Sequence, residues 1–167
     1  MSATAHPKLA MRPFLPADVS LLAEIFRASI VELTGDDYSE AQQEAWSAVA
    51  DDENKFGAKL AKQLTLVATL NGSAAGFIAL EGADKIDMLY VHPAAAGQGV
   101  GAMLIDAVEK LAASRGALKL VADASDTSRG FFEKRGYTAH QRNTISVHGE
   151  WLANTTMQKQ LVKRELP

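Results

Sequence analysis

The stretch that most limits what this chain can become is DMLYVHPAAAGQGVGAMLIDAVEKLAASRG, residues 87–116. An apolar, partly β-branched run, KIDMLYVHP, reads as a strand stopped by Pro93. A helix follows whose apolar stripe is Val100, Leu104, Val108 and Leu111, ending at Arg115-Gly116. Gly97, Gly99 and Gly101 stand at the passage between the two. Glycines there let the backbone approach a ligand with no Cβ in the way. The first N–H groups of a helix lack partners and its dipole adds partial positive charge, so a diphosphate is the natural guest. The plainer alternative is that the glycines only make a tight loop.

Around this passage the chain divides into regular elements. KLAMRPF is a short strand, and Pro16 opens a first helix in which Leu21, Leu22, Ile25, Phe26 and Ile30 recur at helical spacing, with Gly35 just past its end. Ser39 and Gln42 form a capping-box pattern for a second helix through Trp46, and a third runs from about Phe56 to Lys62. LTLVATL and AAGFIALE are apolar runs joined by Asn71-Gly72, a hairpin signal. LKLVAD is a further strand, DTSRGFFEKRG a short helix ending at Gly136, and the tail from Tyr137 reads as two strands turning at Gly149. The order predicts a single domain over residues 1–167, an α/β (α+β) fold with a mixed sheet covered by helices.

Composition narrows the chemistry. Net charge is −3, which argues against a nucleic-acid binder, and the chain has no cysteine, which removes thiol catalysis and zinc thiolates. No apolar run reaches the length of a membrane span, and the N-terminus has no secretory signal, so a soluble cytoplasmic protein is expected. His140 and His148 have no acidic cluster nearby, and no metal site is expected.

AGQGVG (Ala96 to Gly101) and RGFFEKRGY (Arg129 to Tyr137), at their mutual spacing, resemble the two signature segments of the GNAT N-acetyltransferases, in particular the bacterial small-molecule type. The element order fits from about Leu9 to Leu161. The resemblance implies a mostly antiparallel sheet of about seven strands, splayed between the fourth and fifth, and transfer of an acetyl group from acetyl-CoA to an amine. It implies that the loop Ala96, Gly97, Gln98, Gly99, Val100, Gly101 and Ala102 holds the pyrophosphate of coenzyme A on backbone N–H groups. Leu89, Tyr90 and Val91 of the fourth strand would run beside the pantetheine arm, and Ser125, Phe131, Phe132 and Lys134 would line the cofactor. Three departures stand out. Ala96 replaces an Arg or Gln, Ser125 a frequent Asn, and Phe132 the Tyr that protonates the leaving thiolate; Ser125, Tyr90 or water is left for that role.

An alkylammonium must lose a proton before it attacks, so a base is needed near the fourth strand. Alternation puts Lys85, Asp87 and Leu89 on one face and Ile86, Met88 and Tyr90 on the other. Asp87, a carboxylate in an apolar run, is the candidate base or amine anchor, and Glu81 the second; alternatively Asp87 is a structural ion pair with Lys85 or Arg142. His92 reads as the end of its strand before Pro93. For the acceptor, a small-molecule or peptide amine, Tyr38 and Trp46 lie near the acidic Asp36 and Asp37, and Asn154 is polar in the last strand. The alternative is that Trp46 is core packing, the acids a solvated loop, and Asn154 a group that faces water. A homodimer through edge strands is compatible with such a fold. Two rivals remain: a non-catalytic coenzyme A-binding module, and a Rossmann unit in which Gly97, Gly99, Ala102 and Asp123 bind a dinucleotide.

Overall fold

Asn71 and Gly72 both adopt left-handed φ, 53° and 86°, the pairing that closes a tight hairpin between β2 (Leu64–Leu70) and β3 (Ser73–Glu81). The computed structural model describes residues 8–161. β1 (Leu9–Pro13) pairs with β2, and β4 (Lys85–Val91) with β3, all antiparallel. A second tight turn, His148-Gly149 with φ of 44° and 84°, joins β6 (Thr138–Val147) to β7 (Glu150–Gln160). β5 (Lys119–Ser125) lies between the two halves, giving the order β1-β2-β3-β4-β5-β7-β6 in one seven-stranded sheet.

β4 and β5 are the parallel neighbours, and they pair only at Lys85–Val121 and Ile86–Ala122. Beyond that point they diverge. β7 lies antiparallel against β5. A dinucleotide fold needs further parallel strands beyond β5, so the Rossmann alternative is overturned. Asp123, its supposed ribose contact, instead lies 3.7 Å from Lys85 Nζ and accepts from Thr156 Oγ1 at 2.6 Å.

Helices cover both faces. α4 (Val100–Ser114) buries Val100, Leu104, Ile105 and Val108 against Ile78, Leu80, Ile86 and Leu120. α1 (Val19–Leu33) and α3 (Glu53–Lys62) cover the other face, where Leu22, Phe26, Phe56 and Leu60 pack on Val67, Phe77 and Met88. α2 (Glu40–Ser47) starts at the expected capping box, Gln42 N–H donating to Ser39 Oγ and Ser39 N–H to Gln42 Oε1. Leu21, read as part of the apolar stripe of α1, is 51% exposed. The short α5 (Arg129–Lys134) follows β5. No helix among the described residues is long and apolar enough to cross a membrane.

The pairing of β3 with β4 contains an irregularity that decides the site. Leu80 faces Ile86 and Ala79 faces Met88, so Asp87 is an extra residue with no partner of its own. The expected alternation therefore fails there. Ile86 packs with Leu89 and Val91 on the α4 side, while Met88 and Tyr90 pack on the α1 side. Asp87 also turns toward α3, away from Leu89, with which it was expected to share a face.

Candidate active site

The head of α4 is open. Gly99 is its N-cap at φ 86°, ψ 7°, and no side chain caps it. Met103 N–H donates to Gly99 C=O at 3.0 Å; among the described residues, the N–H groups of Gln98, Gly99, Val100, Gly101 and Ala102 find no acceptor. A Cβ on Gly101 would stand 3.4 Å from the Phe131 ring and 3.7 Å from Val91, at ordinary contact distance, so α5 and β4 pack close to the head of the helix here. The nearby edge of β4 is equally bare. His92 N–H donates to Ala75 C=O at 2.8 Å, so Tyr90 and Met88 turn their backbone toward β3. Leu89 and Val91 then turn theirs into the gap from which β5 has diverged.

A cleft of about 320 Å³ opens from this gap. One wall is Leu89, Val91, Ser125, Ser128 and Phe132; a second, from α1, α2 and β4, carries Tyr38, Trp46, Asp87 and Tyr90; the third is the β6–β7 hairpin with Ile145, Leu152 and Asn154. Asp87 is held from behind. Its Oδ2 accepts from Gln63 Nε2 at 3.0 Å and pairs with Lys59 Nζ at 3.1 Å, leaving Oδ1 uncommitted on a side chain 15% exposed. The anticipated partners are elsewhere: Lys85 sits near Asp123, and Arg142 pairs with Asp126, whose carboxyl it holds below the usual carboxylate range. Gln63 Oε1 is buried with no donor, so the side chain gives up one hydrogen bond to point its amide at Asp87.

The aromatic groups form a connected stack. Tyr38 and Trp46 meet edge-on at 5.3 Å, and Trp46 and Tyr90 at 6.3 Å. Tyr90 Oη accepts from Trp46 Nε1 at 3.2 Å, and burial pushes its phenol well above the ordinary tyrosine range, keeping it protonated. Tyr38 Oη donates to Ala153 C=O at 2.7 Å and accepts from Asp126 N–H at 2.9 Å, which leaves it nothing to offer a ligand. Asn154 Oδ1 accepts from Asn143 at 3.0 Å. Ser125 Oγ accepts from Ser128 N–H at 3.1 Å and bonds the Ser128 hydroxyl at 3.0 Å.

Residues 34–161 match the family of the acetyltransferase (GNAT) domain. The chain belongs to the GNAT acetyltransferase family. It is 32% identical to the N-acetyltransferase YafP of Escherichia coli K12 over 148 residues, 88% of this chain and 93% of that protein. A GCN5-related N-acetyltransferase from Rhodopseudomonas palustris superposes with a TM-score of 0.90 at 60% identity, over 96% of this chain and 99% of the other. The PaiA N-acetyltransferase of Thermoplasma acidophilum, solved with coenzyme A, shares the fold at a TM-score of 0.75 and 21% identity, over 92% and 99%. This GNAT chain is an acyl-CoA-dependent acetyltransferase, and acetyl-CoA is its donor. The bare amides from Gln98 to Ala102 and the open edge at Leu89 and Val91 fit that donor's diphosphate and its amide-bearing arm.

Not every expected site residue reaches the cleft of this acetyltransferase. Glu81 is exposed at the end of β3, opposite Lys85. Lys134 points outward from α5. Asp36 and Asp37 do not line the cleft; Asp37 accepts instead from Thr127 Oγ1 at 2.7 Å. His92 Nδ1 accepts from Ala94 N–H at 3.0 Å and caps a turn. Lys59, Gln63 and Gly76 went unread. Lys59 lies in the last turn of α3 and Gln63 just past its end, and the need of Asp87 for partners was the available hint.

Proposed function

We propose that this acetyltransferase passes the acetyl group to a primary amine by direct attack, with Asp87 as the anchor and proton outlet of that amine. The observation that supports it is a cleft lined by the open edge of β4 and by a carboxylate with one oxygen uncommitted, with the unpartnered amides of α4 just beyond its Val91 end, where Gly101 packs on Val91. Bound acetyl-CoA supplies an electrophilic thioester carbon. The amides of Gln98 to Ala102 would hold its diphosphate, and Leu89 and Val91 its arm.

An alkylammonium with a pKa about 10.4 must shed a proton to become a nucleophile. Asp87 Oδ1 holds the ammonium and passes that proton to solvent through water. The amine then forms a C–N bond as the C–S bond breaks, and the second proton that the nitrogen sheds to become an amide passes to water. Phe132 has no proton to give. Ser125 directs its hydroxyl at Ser128, and burial makes Tyr90 a weaker acid than usual. A thiolate whose pKa is about 8.5 leaves without a strong acid, and water returns its proton.

The test combines calorimetry with coenzyme A and thiol release from acetyl-CoA over a panel of amines. Asp87→Asn should lower kcat by roughly 100-fold while coenzyme A binds as tightly as before. Undiminished kcat in Asp87→Asn would remove the role of Asp87. Absence of heat with coenzyme A would remove the reading altogether.

A further inference from the structure

We infer that the acceptor is a small monoamine on an apolar or aromatic body, and not an amino acid, a polyamine or an aminoglycoside. This rests on the amine transfer proposed above. Among the described residues that line the cleft there is no Lys, Arg or His. A carboxylate on the acceptor would be desolvated there with no lining cation to pair with, since Lys59 and Lys85 are already paired with Asp87 and Asp123, which disfavours free amino acids.

Polycations fare no better. The cleft holds two carboxylates, Asp87 and Asp123, and Asp123 is already engaged by Lys85 and Thr156. That leaves Asp87 Oδ1 for one ammonium; further amino groups would meet no anion. Sugar hydroxyls are also poorly served, because the hydroxyls of the α1 wall face inward. Ser29 Oγ donates to Phe26 C=O at 2.9 Å, and Thr34 Oγ1 to Ile30 C=O at 2.6 Å. Tyr38 is committed on both sides.

What remains for an acceptor is ring and hydrocarbon. The Tyr38, Trp46 and Tyr90 group lines the same cleft as Ile145, Val147 and Leu152. Aromatic rings attract a single ammonium, and the aliphatic wall suits an uncharged body. Asn154 and the free Tyr90 proton leave room for one neutral polar group.

Phenethylamine and phenylalanine, which differ by one carboxylate, test this directly, with hexylamine, spermidine and kanamycin alongside. Thiol release should show kcat/KM for phenethylamine about 100-fold above that for phenylalanine, spermidine or kanamycin. Ile145→Arg adds a cation at a side that is 41% exposed, where folding tolerates it, and should raise phenylalanine relative to phenethylamine. Spermidine, kanamycin or phenylalanine matching phenethylamine would overturn the inference. So would inactivity of both phenethylamine and hexylamine. Acetyl-CoA calorimetry in parallel separates the two levels. Heat with the wrong acceptor order defeats the monoamine alone, whereas no heat defeats acetyl transfer as well.

Discussion

A carboxylate at the edge of an apolar strand keeps its charge and its direction only through its partners, and for Asp87 those partners stand at the end of α3, Lys59 in its last turn and Gln63 just past it. Lys59 Nζ and Gln63 Nε2 both take Oδ2, so the other oxygen is left for the cleft. Lys59 is half exposed, and its loss should disturb folding little. Lys59→Met should therefore lower kcat by about 10-fold with no change in coenzyme A affinity, and Lys59→Arg should restore most of it. A drop in coenzyme A affinity equal to the drop in kcat would instead mean that α3 had shifted as a whole. The charge of Asp87 was legible, because a carboxylate in KIDMLYV needs a reason. Its partners were not, since the bulge reverses the alternation on which any one-dimensional assignment of faces depends.

Elements were more legible than contacts, for a physical reason. Hairpin turns, caps and helix ends are written in residues two to four apart, as at Asn71-Gly72, Ser39 with Gln42, and Gly116 and Gly136, both with left-handed φ. The loop at the head of α4 belongs to this class, since its glycines stand where strand periodicity turns into helix periodicity. Gly76 does not. It lies inside β3 in ordinary conformation, and its need for a hydrogen in place of a Cβ comes from β4 and α4. A Cβ there would lie 2.9 Å from Tyr90 O and 2.9 Å from Val100 Cγ1. One of these is backbone, so the strand pair or the head of α4 must move. Gly76→Ala should cost about 1–3 kcal/mol, seen as a lower urea midpoint at unchanged slope. Because the displaced residue is the first of α4, coenzyme A affinity should fall with it. An alanine variant of full stability and affinity would show that α4 is not fixed by this contact.

At the scale of the whole molecule, the cleft exists because the helices of the N-terminal half are tied to the strands of the C-terminal half. Tyr38, between α1 and α2, reaches Ala153 on β7 and Asp126 after β5 with one hydroxyl. Gln42 donates to Trp151 C=O at 2.8 Å, Thr127 to Asp37, and Arg142 of β6 grips the same Asp126. None of these links joins residues close in the chain, and nothing in DDYSE announces them; Tyr38 read as an acceptor contact, whereas its hydroxyl is spent on architecture. Tyr38→Phe keeps the ring and its stacking on Trp46 but removes both hydrogen bonds. The half-buried Ala153 C=O and Asp126 N–H then lose their side-chain partner, at a cost of about 1 kcal/mol. Since the tie spans the wall of α2 and the β6–β7 hairpin, the expected functional effect is a higher KM for the acceptor with the coenzyme A Kd unchanged. Urea unfolding and steady-state kinetics on the one variant check both halves. A stability loss without any change in acceptor KM would mean that the tie holds the fold and leaves the shape of the cleft to the strands alone.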